Sequence, residues 1–209
     1  QVNQQYMKRE EIAAAVDEAH RHGRMVAAHC CGGQGLIDCL ELGVDTIEHG
    51  SGMTNEDIEK MARTNAYFVA NPIVLLDHEF KNRLANPIVV ANRAKLAKEF
   101  PFPQIIQKVA AKGIKIAVGT DGRHGVMADN LAKLVEFGLP AMDVIIAATK
   151  TGAEVCAARE KLGTLEVGKF ADILIVKGDP LNDIKALKNL RLVMKDGNIV
   201  KMDNNFRSN

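Results

Sequence analysis

Two short apolar runs, residues 24–29 and 44–49, each end on a histidine, within the segment RMVAAHCCGGQGLIDCLELGVDTIEHG. Both have strand length and glycine-containing punctuation on either side. Between them Leu36, Ile37, Cys39, Leu40 and Leu42 form an apolar helical face that Gly43 stops. Two parallel strands joined by a helix, each with a histidine at its C-terminal end, is how a (β/α) barrel presents metal ligands at its active face. A third strand-like run, residues 114–120, leads into Gly119-Thr120-Asp121-Gly122.

One histidine after an apolar run is more often structural than a ligand. Strand-end ligand types in the order His, His, Asp are far harder to obtain by accident. The words VAAHC, GVDTIEHGS and KIAVGTDG resemble the fifth-, sixth- and eighth-strand motifs of the amidohydrolase superfamily, in its dipeptidase and imidazolonepropionase-like branch. The resemblance covers nearly the whole chain. It implies an α/β fold, a distorted (β/α)8 TIM barrel with a small flanking β-domain. It also implies a divalent metal, zinc first, as one or two ions in the complete enzyme. His29, His49 and Asp121 are then the ligands, and Asp121 is also the catalytic proton carrier. Cys31 and His124 border the substrate.

A full barrel of this kind needs about 250 residues before any accessory domain, whereas this chain has 209 and only four barrel-type strands. It reads as the C-terminal portion: a partial barrel over residues 1–160, then part of the β-domain over 161–209. The family's first-strand His-x-His and its fourth-strand bridging ligand have no counterpart. His20-Arg21-His22 matches the first in letters only, because it ends a helix, where residues two apart do not share a face. Histidines there are favoured by the helix dipole. The expected partners are a small amide or dipeptide substrate and either further copies of the chain or a missing N-terminal half.

The net charge of +1 gives no reason to expect nucleic acid or an anionic membrane as partner. No apolar run spans a bilayer, no signal peptide opens the chain, and Cys30, Cys31, Cys39 and Cys156 form no CxxC pair. A reducing, cytoplasmic setting is expected.

Along the chain, Thr54 and Asp57 frame the start of a helix over 55–63, and a strand follows over 66–70. Asn71-Pro72 is a chain reversal. Residues 73–103 form a long excursion with a helix over 88–100; His78 and Arg83 there could meet a substrate, but nothing in the sequence selects them. Helices are expected over 104–112, 127–137 and 142–158. From Gly163 the pattern turns to strands, 171–176 and the pair 191–195 and 198–201, with Asp196-Gly197 as a type I′ turn. Edge strands there invite pairing with another chain.

The chemistry this implies is hydrolysis of an amide or other C–N bond. Water on such a metal is acidified to roughly pH 7, and Asp121 moves its proton to the leaving nitrogen. Nucleobase deamination is disfavoured, because Cys30-Cys31-Gly32-Gly33 follow His29 where deaminases place a glutamate. Peptidase members often carry tyrosine at the position of Cys31, so a cyclic amide competes with a dipeptide as substrate. Strand alternation sends Glu48 to the face opposite His49, away from catalysis. The rival reading is a non-catalytic fragment or relative that serves assembly.

Overall fold

A computed structural model describes residues 5–73, 98–99, 101–122 and 124–203. The expected helix over 88–100, apart from Lys98 and Glu99, lies outside these residues, as do His78 and Arg83. The elements run α1 (Arg9–Arg21), β1 (Ala27–Cys30), α2 (Gln34–Glu41), β2 (Thr46–His49), α3 (Asn55–Met61) and β3 (Tyr67–Ala70). They continue with α4 (Phe102–Ala111), β4 (Ile116–Val118), α5 (Met127–Glu136), α6 (Ala141–Ala148) and α7 (Lys150–Val155). Three strands close the chain, β5 (Ile173–Val176), β6 (Leu190–Lys195) and β7 (Asn198–Met202), with a 3-10 turn, Ile184–Lys188, after β5.

The first four strands make one parallel sheet in the order β1-β2-β3-β4. Its two faces follow from strand alternation. One face aligns Ala28, Ile47, Phe68 and Ile116 in register and packs into a core with Leu36, Ile58, Ile106 and Leu134 from the helices. The other face aligns His29, Glu48, Val69 and Ala117, with Thr46 and Tyr67 one layer nearer the strand starts. This is an α/β fold on a parallel sheet, as the alternation of strand and helix patterns requires.

The helix start at Thr54 and the helix stop at Gly43 follow their local signals. The Thr54 hydroxyl accepts from the Asp57 N–H at 3.1 Å, and the Asp57 carboxylate accepts from the Thr54 N–H at 2.8 Å, a reciprocal capping box. Gly43, at φ 85°, follows the end of α2. The expected single helix over 142–158 is instead two helices broken at Thr149, where the hydroxyl turns back to the Ile145 carbonyl at 2.7 Å. Back-bonding of this kind bends helices.

The second sheet is antiparallel, ordered β5-β6-β7. Asp196 and Gly197 both have left-handed φ (49° and 75°) between the paired Lys195 and Asn198, as a type I′ turn demands. Ile184, in the turn after β5, joins the main core. Leu174, Ile175, Ile199 and Val200 on β5 and β7 stand exposed.

Candidate active site

The C-terminal ends of β1, β2 and β4 bring the expected residues to one rim. His29 lies on the face away from the helical core. Strand alternation alone would send His49, two residues after Ile47 and in register with Cys30, to the core face. Its backbone prevents that. His49 has φ 74°, which turns its side chain over toward His29, and the two rings meet edge to face with centroids 4.6 Å apart. Only four non-glycine residues among those described have left-handed φ, and two are His49 and Asp121 (φ 49°). Such backbone is costly for a residue with a side chain and clusters at functional sites.

Gly50 makes this bend feasible. Its N–H donates to the Cys30 carbonyl at 3.0 Å, linking the ends of β1 and β2. The next loops are tied as well, by the Gly52 N–H donating to the Cys31 carbonyl at 2.7 Å.

His49 is buried, and its Nδ1 lies 2.8 Å from the Asn71 side-chain oxygen. Asp121 is exposed in the turn after β4, and His124 is exposed three residues on. Cys31 is half-buried after β1 and lines, with His29, a groove of about 380 Å³ along the outer edge of that strand. Among the described residues, no group of three His, Cys, Asp or Glu side chains converges tightly enough to hold a metal ion. The donor types nevertheless suit one. Two imidazoles stand side by side, His49 has its second ring nitrogen to offer, and a carboxylate follows on β4's loop.

Glu48 needs a correction. It is the register neighbour of His29, so it faces the site and not away from it. Alternation sends Glu48 opposite His49 only in a regular strand; here His49, with left-handed φ, is the residue that turns over, and Glu48 keeps its regular facing. Glu48 accepts from the Thr46 hydroxyl at 2.8 Å. Burial pushes its carboxyl above the ordinary range, against the opposing pull of Thr46 and His49, and Asp121 adds to the rise.

The remaining candidates fall elsewhere. His20 pairs with Asp45 at 2.8 Å and His22 with Glu18 at 3.0 Å, both away from the strand ends. The hydrogen bond that the Cys30 thiol gives to its neighbour Cys39, and then burial, push that thiol far above the ordinary value, which disfavours it as a nucleophile. Sequence reasoning missed Asn71 and Asn130, described below. A polar residue on the apolar stripe of α5, four before Leu134, was the available signal for the second.

Residues 4–200 match the Amidohydrolase family, and the chain belongs to it. Ochratoxinase of Aspergillus niger is 31% identical over 199 residues, covering 92% of this chain and 41% of its own length. A 5-methylthioadenosine/S-adenosylhomocysteine deaminase of Thermoanaerobacter pseudethanolicus is 32% identical over 185 residues, covering 81% of this chain and 36% of its own. The crystal structure of a Xaa-Pro dipeptidase with methionine bound superposes with a TM-score of 0.83 at 36% identity, covering 93% of this chain and 49% of that one. The chain thus spans half or less of the length of these relatives. No helix among the described residues is long and apolar enough to cross a membrane.

Proposed function

We propose that this chain is the metal-binding C-terminal half of an amidohydrolase that opens an amide or related C–N bond in a dipeptide or cyclic amide. The observation that carries the reading is the pair His29 and His49, ring to ring at 4.6 Å on adjacent parallel strand ends. In this reading residues 1–160 are part of a (β/α)8 barrel and 161–209 part of a small β-domain. The edge of β1 takes the missing strands, supplied by an N-terminal half.

His29 and His49 would hold a divalent metal, zinc by preference, with Asp121 as carboxylate donor. When bound, that metal supplies an acidified water and polarises the scissile carbonyl. The Asp121 carboxylate takes the proton of the attacking water and returns it to the leaving nitrogen, base first and then acid. Cys31 and His124 border the substrate. Cys30, Cys31, Gly32 and Gly33 follow His29 with no glutamate among them, which favours amide opening over deamination.

Metal content per chain, on protein purified without chelator, tests this. About one or two zinc-like ions per chain would support the ligand assignment. No metal and no uptake of added zinc, with or without an N-terminal half, would favour the non-catalytic reading. That rival draws on the absence of a converged three-ligand cluster among the described residues. In the complete enzyme Asp121→Asn should lower kcat on the order of 10²–10⁴-fold with the fold intact. Near-normal turnover would remove Asp121 from the mechanism.

A further inference from the structure

The residue behind His49 belongs to a buried strut that no expected function uses. Asn71 follows the last residue of β3 and is 2% exposed, and its side-chain oxygen sits 2.8 Å from His49 Nδ1. An amide oxygen only accepts, so this contact is a hydrogen bond when Nδ1 carries the hydrogen, which in a neutral ring leaves the Nε2 lone pair for another partner. Two residues on, the Ile73 N–H donates to the Asn130 side-chain oxygen at 2.9 Å. The other end of that amide donates to the Gly119 carbonyl at 3.3 Å, and the Gly119 N–H donates to the Ala70 carbonyl at 3.0 Å. These bonds close a ring: end of β3, reversal, α5, end of β4 and back. Gly119 lies two residues before Asp121.

Asn130 is 0% exposed. A side chain that only filled this space would be apolar, because a buried amide is costly unless its hydrogen bonds are made. Asn130 uses its oxygen on one strand end and its nitrogen on the other. The segment that holds His49 is thereby fixed to the segment that delivers Asp121.

We propose that Asn71 is a positioning residue that fixes His49 in the Nδ1–H tautomer with Nε2 as the donor toward metal, and that Asn130 clamps Asn71's segment to the strand end leading to Asp121. The inference rests on the ligand reading of His49 given above. Histidine ligands commonly give their second ring N–H to an oxygen acceptor that sets tautomer and orientation. Here a side-chain amide takes that part.

The test is a long-range ¹H–¹⁵N correlation spectrum of the histidine side chains in metal-free protein near neutral pH. The sequence holds six histidines, and the signals lost in His49→Gln identify His49. The expected wild-type result is a proton on Nδ1 and an unprotonated Nε2. Asn71→Asp keeps an acceptor and should keep that tautomer, with zinc affinity within a few-fold of wild type. Asn71→Leu should release the ring toward the Nε2–H form and weaken zinc binding by about 10–100-fold.

A wild-type His49 protonated on Nε2 overturns the proposal, and that spectrum needs no variant to fold. An unchanged tautomer in folded Asn71→Leu overturns it equally. If wild type takes up no zinc even with an N-terminal half supplied, the ligand reading fails by itself, and the metal-free tautomer still decides the role of Asn71.

Discussion

At the start of the parallel strands, polar groups pair with one another in regular backbone. At the strand ends, the backbone itself is bent to bring polar groups together. Near the start, Asp45 accepts from the Val26 N–H at 2.7 Å and pairs with His20 at 2.8 Å. Beside it the Glu154 carboxylate accepts from the Tyr67 hydroxyl at 3.0 Å and from Lys115 at 3.2 Å. At the far end, His49 and Asp121 hold left-handed φ and Asp121 is exposed. The first arrangement lowers the energy of the fold. The second holds two potential donor side chains on backbone that is costly for a residue with a side chain, the kind of local strain that clusters at functional sites.

The largest effect should come from removing what permits the bend. A Cβ at Gly50, where φ is 55°, would lie 2.3 Å from Phe68 Cε2 and 2.8 Å from Met53 Sδ. Gly50→Ala combines left-handed strain with overpacking, and should cost about 2–4 kcal/mol in urea unfolding. Gly113→Ala is the control, since φ there is 70° but a Cβ meets nothing within 4 Å. It should cost only about 1 kcal/mol. Equal losses in the two variants would mean that crowding beneath the bend contributes nothing.

An intermediate effect is expected at the paired end. Burial alone would raise the Glu154 carboxyl, but the hydrogen bonds from Lys115 and Tyr67 outweigh it and hold the group below the ordinary range. A carboxyl depressed in the fold contributes stability above its unfolded value, roughly pH 4.3, and that contribution disappears as pH falls through the folded value. Glu154→Gln should therefore cost about 1 kcal/mol at neutral pH, modest because Lys115 is exposed. The cost should vanish in acid. A pH-independent difference would mean the charge is not what matters.

The contrast also explains what could be read beforehand. Apolar periodicity located the four parallel strands, the hairpin and most helices, because those patterns are local. His29 was legible by alternation, since β1 is regular there. The facing of His49 and Glu48 was not, because alternation presumes regular φ and the bend depends on how Gly50 packs against Phe68. The Asn71 and Asn130 strut joins residues 57 apart (Ile73 to Asn130), and nothing local in either segment announces its partner. The break at Thr149 was hidden for the converse reason. Residues 142–158 are apolar enough to read as one helix, and the break coincides with the Thr149 hydroxyl turned back on the Ile145 carbonyl.

The smallest effect should have the opposite sign, and it separates the two ends most sharply. Glu48 and Tyr67 lie on the same face, but burial raises the Glu48 carboxyl where hydrogen bonds lower that of Glu154. A carboxyl raised in the fold contributes stability that is complete below the ordinary value of roughly pH 4.3 and is lost as pH rises through the folded value. At neutral pH Glu48 thus contributes a net penalty, to which the like charge of Asp121 adds. Glu48→Gln keeps an acceptor for the Thr46 hydroxyl and removes the charge. In metal-free protein its Tm should exceed that of wild type at neutral pH and match it in acid, the reverse of Glu154→Gln. A lower Tm at neutral pH would mean Glu48 already has a compensating cation, and the strand-end rim would then be paired like the strand-start rim.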